Sequence, residues 1–384
     1  MKKKNISEII IHLGEDNHPF GAVNPPLFQT SIFAFDNFND FSVAMTDETD
    51  HFLYTRGNNP TVKLLEEKLA ALENGERAKL FSSGIAAIVS SISAFVKSGD
   101  HILSVKDCYN WTSTYMSKYL SRFGVEHTFV EGIDSNEIIS SLKPNTKIIF
   151  LESPTTFTFK LQNLKEISSI AKSKGIKTII DNTWATPIFQ NPINLGIDIV
   201  VHSASKYLGG NSDIIAGVVV GKNEDIKRIF EKEFLNIGAV PDPFAAWLIL
   251  RGLRTLHIRM PVHFKNTLKL CKSLLENKAV ETVIYPFLET HNQYALAKEQ
   301  MTGGSGLFSF KLKSKNICKI KTFVNSLRFF KKAVSWGGYE SLIFPYAVSH
   351  KNDVENLSLI RVHTGLEDSD ILIEDLERAL KCFD

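Results

Sequence analysis

From residue 61 the chain alternates between short apolar runs and longer amphipathic stretches, and this alternation constrains the fold more than any other feature. The runs are "AKLFS", "HILSV", "TKIIFL", "KTIID" and "DIVVH"; stretches such as "YMSKYLSRFG" and "LKEISSIAKSKG" separate them. A run that is apolar on both faces belongs inside a sheet covered on both sides. A helix between successive runs supplies the cover and the crossover that parallel strands need. The pattern predicts an α/β chain with a large, mostly parallel, doubly wound sheet. A ligand of such a sheet lies beyond the carboxyl ends of its strands.

The flanking regions read differently. Residues 1–60 carry the turn-rich stretches "NHPFGAVNPP" and "RGNNPT" without a sustained period, and are expected to form an irregular arm. "TVKLLEEKLAALENG" has helical spacing and stops at a glycine. After about residue 250 a long helical section leads to the strand candidates "VETVIY", "GLFSFKLK" and "LSLIRVH" and a last helix, "DILIEDLERAL". The expected division is an arm over 1–60, a large domain over 61–255 and a smaller α+β domain over 256–384.

Charge and cysteine content narrow the function classes. With 44 Lys+Arg against 42 Asp+Glu among 384 residues, the chain gives no general electrostatic reason to bind nucleic acid or an anionic membrane. The four cysteines are scattered with no CxxC pair, which reads as reduced thiols, not a disulfide framework or zinc site. No HExxH or similar metal spacing is seen. No uncharged run approaches the ~20 residues of a membrane span, and "IIIHL" is short for a secretory signal, so a cytoplasmic protein is expected.

Chemistry concentrates around "HSASKYLGG" (202–210). Lys206 follows one apolar run, and Asp181 ends the run before it, where a carboxylate is costly unless paired. A salt bridge across the sheet rim would explain that pair alone. Ser203 and Ser205, however, offer short hydroxyls suited to phosphate oxygens. "LFSSGIAAIVSSISAF" reads as a strand end, a turn and a helix start whose amides can bind phosphate. Tyr109, in "DCYNWT" after "HILSV", could stack on a flat ring. Phosphate donors, a ring, a carboxylate and a lysine together fit pyridoxal phosphate, which needs a Schiff-base lysine and an acidic partner for its ring nitrogen. Nucleotide loops of the G-x-G-x-x-G or GxxxxGK[ST] type are absent after the early strands.

With "YTRGNNPT", "SSGIAA", "ESPT", "DNTWATP", "HSASKYLGGNSD", "RGLRTL", "SWGGYESL" and "RVHTGLED" in order from about residue 20 to the C-terminus, the chain resembles the Cys/Met-metabolism family of pyridoxal-phosphate enzymes. The resemblance implies the fold-type I architecture, a homotetramer of two close dimers and a small sulfur-containing amino acid as substrate. It also implies that Lys206 carries the cofactor and that Asp181 faces the ring nitrogen. Tyr109 would stack on the ring, with Thr183 nearby. The amides of Gly84 and Ile85, with Ser203 and Ser205, would hold the phosphate. Tyr54 and Arg56 would reach the phosphate site of a neighbouring subunit, and Tyr54 and Tyr109 would stand beside Lys206 among the catalytic residues. Arg361, with Ser335, would grip the substrate carboxylate.

Within this family, "SWGGYESL" and "TGGSGLFSF" resemble bacterial cystathionine β-lyases, and Trp336 stands where many γ-enzymes have leucine. Thr156 replaces a common asparagine. Val334 occupies a position where γ-synthases and γ-lyases often carry glutamate, although methionine γ-lyases share valine there. Trp111 stands where methionine γ-lyases typically have cysteine. The expectation is a carbon–sulfur lyase of the cystathionine β-lyase kind. Cystathionine γ-lyase, methionine γ-lyase and cystathionine γ-synthase activities are the alternatives. A non-enzymatic member of the fold would be expected to lack some of Lys206, Asp181, Tyr109 and Arg361.

Overall fold

The computed structural model describes residues 5–16, 18–350 and 352–383; residues 1–4 and 17 of the expected arm, and residue 384 at the far end, lie outside the described residues. The apolar runs become strands β1 (Arg77–Phe81), β2 (His101–Val105), β4 (Thr146–Glu152), β5 (Lys177–Asp181) and β6 (Ile199–Ser203). Two further strands, β3 (Glu126–Val130) and β7 (Gly217–Gly221), complete a seven-stranded sheet in the order β1-β7-β6-β5-β4-β2-β3. Strand β7 runs antiparallel to β1 and β6, and every other pairing is parallel. The two added strands are hard to see in sequence for opposite reasons. "EHTFV" sits at the sheet edge with polar, part-exposed residues, and "GVVVG" is a five-residue fully buried run bounded by glycines.

The pairing β1–β7–β6 makes β1 parallel to β6, so the carboxyl ends of β1, β2, β4, β5 and β6 share one rim. Helix Gly84–Ser93 starts just beyond β1 and packs against β6 and β7. Ser83 caps it, its hydroxyl accepting from the Ala86 N–H at 3.1 Å. The short link from β6 to β7 carries Lys206.

A second sheet follows in the order β10-β11-β12-β9-β8. Its strands are β8 (Val280–Ile284), β9 (Leu307–Leu312), β10 (Lys331–Lys332), β11 (Leu342–Pro345) and β12 (Leu359–His363). All pairs are antiparallel except β10 with β11. Helices Leu256–Glu276 and Ser369–Leu380 pack on each other beside it.

Each sheet has its own apolar core, and helix Leu256–Glu276 serves both. Leu256 and Met260 belong to the first core, and Leu270, Cys271 and Leu274 to the second. Phe159, Leu161 and Trp184 come from the segments after β4 and β5, yet pack into the second core. Trp336 touches both. The rim of the large sheet therefore faces the small sheet across a tightly sewn junction.

The arm is less irregular than its sequence implies. It contains helices Ile6–His12 and Phe38–Thr46, each capped by an asparagine, Asn5 and Asn37. At seven and nine residues they are too short for a period to show. Ile9 and Ile10 are buried, and Lys68 Nζ donates to their carbonyls at 3.1 and 2.9 Å while pairing with Glu15 at 3.0 Å. Beyond this anchor, Phe20, Val23, Ile32, Phe38 and Met45 stand exposed. No helix among the described residues is long and apolar enough to cross a membrane.

Candidate active site

The rim collects most of the residues singled out above. In the β4–β5 register Glu152 lies beside Asp181, so two carboxylates end adjacent strands. Thr183 holds Asp181: its N–H and hydroxyl both donate to Asp181 Oδ1, at 2.9 and 2.5 Å. The same hydroxyl accepts from the Ser203 N–H at 2.8 Å, tying the end of β5 to the end of β6. Ser205 fixes the start of the Lys206 link, its hydroxyl donating to the Ala216 carbonyl at 3.2 Å and accepting from the Ala216 N–H at 2.9 Å. A Cβ on Gly84 would lie 2.9 Å from Ser203 Oγ, so glycine lets the helix start close on that serine. The N–H groups of Gly84 and Ile85 head the helix, where the backbone has no partner of its own.

Lys206 stands where the two sheets meet. Its Nζ donates to Ser335 Oγ at 2.5 Å and lies 5.7 Å from the centre of the Trp336 ring. The segment carrying Ser335 and Trp336 can lie this close because of Gly337. There φ is +91°, and a Cβ would sit 2.8 Å from Lys206 Cβ. Ser335 itself has φ +75°. Burial and the positive charge of Arg361 bring the Lys206 amine down to about 8, against the opposing pull of Asp181. Asp181 is raised by burial, with the Thr183 hydrogen bonds working the other way. Glu152 is pushed well above the usual carboxylate value by burial and the neighbouring charge of Asp181.

Tyr109 follows β2, and its N–H donates to Glu152 Oε2 at 2.7 Å. Burial, then the charges of Asp181 and Glu152, push its phenol upward. Arg361 reaches the junction from β12; burial lowers its pKa to about 10, and Glu152 opposes the shift. Thr156 follows β4 and donates its N–H to the Asp107 carbonyl at 3.1 Å. Val334 lies beside Ser335 with 71% of its surface exposed.

Tyr54 and Arg56 are the exceptions. Both are exposed on the arm, with the Arg56 guanidinium 6.0 Å from the Tyr54 ring centre. Among the described residues neither makes a hydrogen bond, ion pair or ring contact with Lys206, Asp181, Ser203 or Ser205. The sequence expectations give Glu152 no role. "TKIIFLE" ends in a carboxylate just as "KTIID" does, but only the strand order and register set the two ends side by side.

The helix start with glycine-permitted access, the paired strand-end carboxylates and a half-buried lysine of lowered pKa fit a phosphorylated, ring-bearing aldehyde. Comparison with known proteins agrees. Residues 7–381 match the family described as Cys/Met metabolism PLP-dependent enzyme. An L-methionine gamma-lyase of Treponema denticola is 40% identical, over 99% of this chain and 98% of its own. A cystathionine beta-lyase of Lactococcus lactis subsp. cremoris is 38% identical, over 98% and 99%. The crystal structure of metB from Corynebacterium glutamicum superposes with a TM-score of 0.92 at 31% identity, covering 99% of each chain. By sequence, by fold-type I architecture and by the composition of its rim, the chain belongs to the Cys/Met-metabolism family of pyridoxal-phosphate-dependent enzymes, whose members named here include lyases.

Proposed function

We propose that the chain is a carbon–sulfur lyase that cleaves cystathionine at its β-carbon, releasing homocysteine, pyruvate and ammonia. The observation that carries the lyase reading is Lys206, which meets Ser335 Oγ at 2.5 Å beyond the end of β6 and whose amine, lowered to about 8, feels Arg361 and Asp181. Bound pyridoxal phosphate supplies an electron sink that acidifies the α-proton of an attached amino acid. In the proposed site the Gly84 and Ile85 amides would hold the phosphate with Ser203, and with Ser205 once its hydroxyl turns from the Ala216 carbonyl. Tyr109 would cover the ring, and Asp181, oriented by Thr183, would hold a proton on the ring nitrogen. Arg361 and Ser335 orient the substrate by its carboxylate. Lys206 Nζ, freed when the substrate amine takes its place on the cofactor, would take the α-proton, which its lowered pKa suits it to do near neutral pH.

The choice of β-cleavage rests on Val334 and Trp336. Cleavage at the γ-carbon needs a further proton removed from Cβ. Val334 offers neither a carboxylate nor a hydrogen-bond partner at the mouth of the site, and Trp336 adds bulk there. A second reading, γ-elimination from methionine, is favoured by the 40% identity to the Treponema denticola enzyme. Incubation of the purified holoenzyme with cystathionine and with methionine separates the two. Pyruvate with homocysteine supports the first, and 2-oxobutyrate as the main keto acid replaces it with the second.

The proposal includes a cytoplasmic homotetramer, division into the arm over 1–60 and domains over 61–255 and 256–384, and sites completed by Tyr54 and Arg56 of a neighbouring subunit. The exposed apolar side chains of the arm support it, because a second copy would cover them.

A further inference from the structure

Arg361 is held in an unusual way. Among the described residues it pairs with no carboxylate and donates no hydrogen bond, and its close partners are two rings. Its Cζ lies 4.7 Å from the centre of Phe157 and 5.3 Å from the centre of Phe344. The rings also touch each other, with centres 5.8 Å apart, so the guanidinium rests in a two-ring cradle. Phe344 is the cross-strand neighbour of Arg361 on β11. Phe157 comes from the other sheet, five residues past the end of β4, and Tyr346 backs it edge-on at 5.3 Å.

The segment that delivers Phe157 is strained. Phe157 has φ +61° and Phe159 has φ +50°, a region that bulky residues rarely occupy. The Thr158 N–H donates to the Thr156 carbonyl at 2.7 Å across Phe157, the tight three-residue turn with positive φ at its centre. Asp107 pins the turn from both sides: its carbonyl accepts from the Thr156 N–H, and its carboxylate from the Thr158 hydroxyl at 2.8 Å. Phe159 is fully buried against Trp184. Strain of this kind persists where the surroundings over-determine it, and it gathers at functional sites.

We infer that Phe157 is a positioning residue for Arg361, reaching across the junction to fix the guanidinium for a ligand carboxylate. The inference rests on the proposed reading of Arg361 as the carboxylate-binding group. A ring against a guanidinium uses its face and leaves the in-plane N–H donors unspent. An apolar cradle also offers no competing acceptor. The arginine stays charged, dry on one side and in no ion pair among the described residues, although Glu152 is near enough to favour its charge, so the partner it suits is a carboxylate brought by the substrate.

The test uses holoenzyme and 3-(methylthio)propanoate, a thioether carboxylate with no amine to react, with binding measured by calorimetry. Phe157→Leu keeps the bulk and removes the π face, and should weaken binding about tenfold, in the range of a desolvated cation–π contact. Phe157→Tyr should restore affinity to within about twofold. With the turnover substrate, Phe157→Leu should raise KM by a similar factor and leave kcat nearly unchanged. Phe157→Gly guards against a folding artefact. Its φ suits glycine, so the backbone turn is kept while the ring is lost, and affinity should fall at least as far as in Phe157→Leu with the circular dichroism spectrum of the holoenzyme unchanged. Wild-type affinity in Phe157→Leu, with binding lost in Arg361→Gln, would overturn the positioning role and leave the Arg361 reading intact. Undiminished binding in Arg361→Gln would overturn that reading and this inference with it.

Discussion

At the scale of single residues, Lys206 carries the most chemistry. Its amine is lowered to about 8 by burial and by Arg361, and Asp181 opposes the shift. In protein stripped of cofactor, labelling of Lys206 by an amine-directed reagent should rise with pH through a midpoint of about 8, well below an ordinary lysine. Below that midpoint the amine is protonated and unreactive. Arg361→Gln removes a repelling charge and should move the midpoint up; Asp181→Asn removes an attracting one and should move it down. Peptide mapping of the labelled protein across pH reads both shifts. Val334 decides a different matter. If the absence of a carboxylate there limits proton removal from Cβ, Val334→Glu should shift the keto-acid product from pyruvate toward 2-oxobutyrate, and an unchanged ratio refutes that role.

At the scale of elements, the loop carrying Tyr54 and Arg56 depends on a lysine inside the large sheet. Lys79 on β1 is 3% exposed, and its Nζ donates to the Gly57 carbonyl at 2.8 Å and to Asn58 Oδ1 at 3.0 Å. Glu66 lies 3.4 Å away, and the Phe230 and Phe234 rings stand 4.9 and 4.7 Å from the ammonium. Burial depresses this amine and Glu66 counteracts it. Lys79→Met would leave the Glu66 carboxylate buried without its cation, and should cost about 3–5 kcal/mol of stability in denaturant unfolding. Adding Glu66→Gln should recover part of that loss, since the pair is coupled. A double variant as unstable as the sum of the singles would show that the ion pair is not what matters. The apolar run "AKLFS" predicts a strand, but its pattern does not reveal that its one charge is enclosed.

At the scale of the whole molecule, the arm is anchored at Ile9 and Ile10 but leaves Phe20, Val23 and Phe38 uncovered, and it keeps Tyr54 and Arg56 apart from the Lys206 cluster. Sites completed between subunits, as proposed above, would account for both facts. Arg56→Ala and Lys206→Ala proteins, each inactive alone, should regain part of the wild-type activity when mixed under conditions of subunit exchange. In a hybrid one site would have both an intact lysine and an intact partner loop. Hybrids that form, as shown by native mass spectrometry, yet stay inactive would refute cross-subunit completion.

The sequence by itself determined the parallel core strands, the rim on which a ligand belongs, and the lysine, carboxylate and helix start that name the cofactor. These follow from short-range rules: apolar runs must be buried, crossovers need helices, and strand ends in one sheet point to one edge. Family motifs added Arg361, Ser335 and Trp336 without saying how they meet Lys206. Only tertiary structure decided that Glu152 lies beside Asp181, that Gly337 lets the Ser335 segment rest on Lys206, and that Phe157 crosses from one sheet to cradle an arginine on the other. Each is a contact between distant segments, fixed by strand register or by a backbone conformation that local propensity disfavours. A glycine, a glutamate and a phenylalanine acquire those roles from what the rest of the chain packs against them.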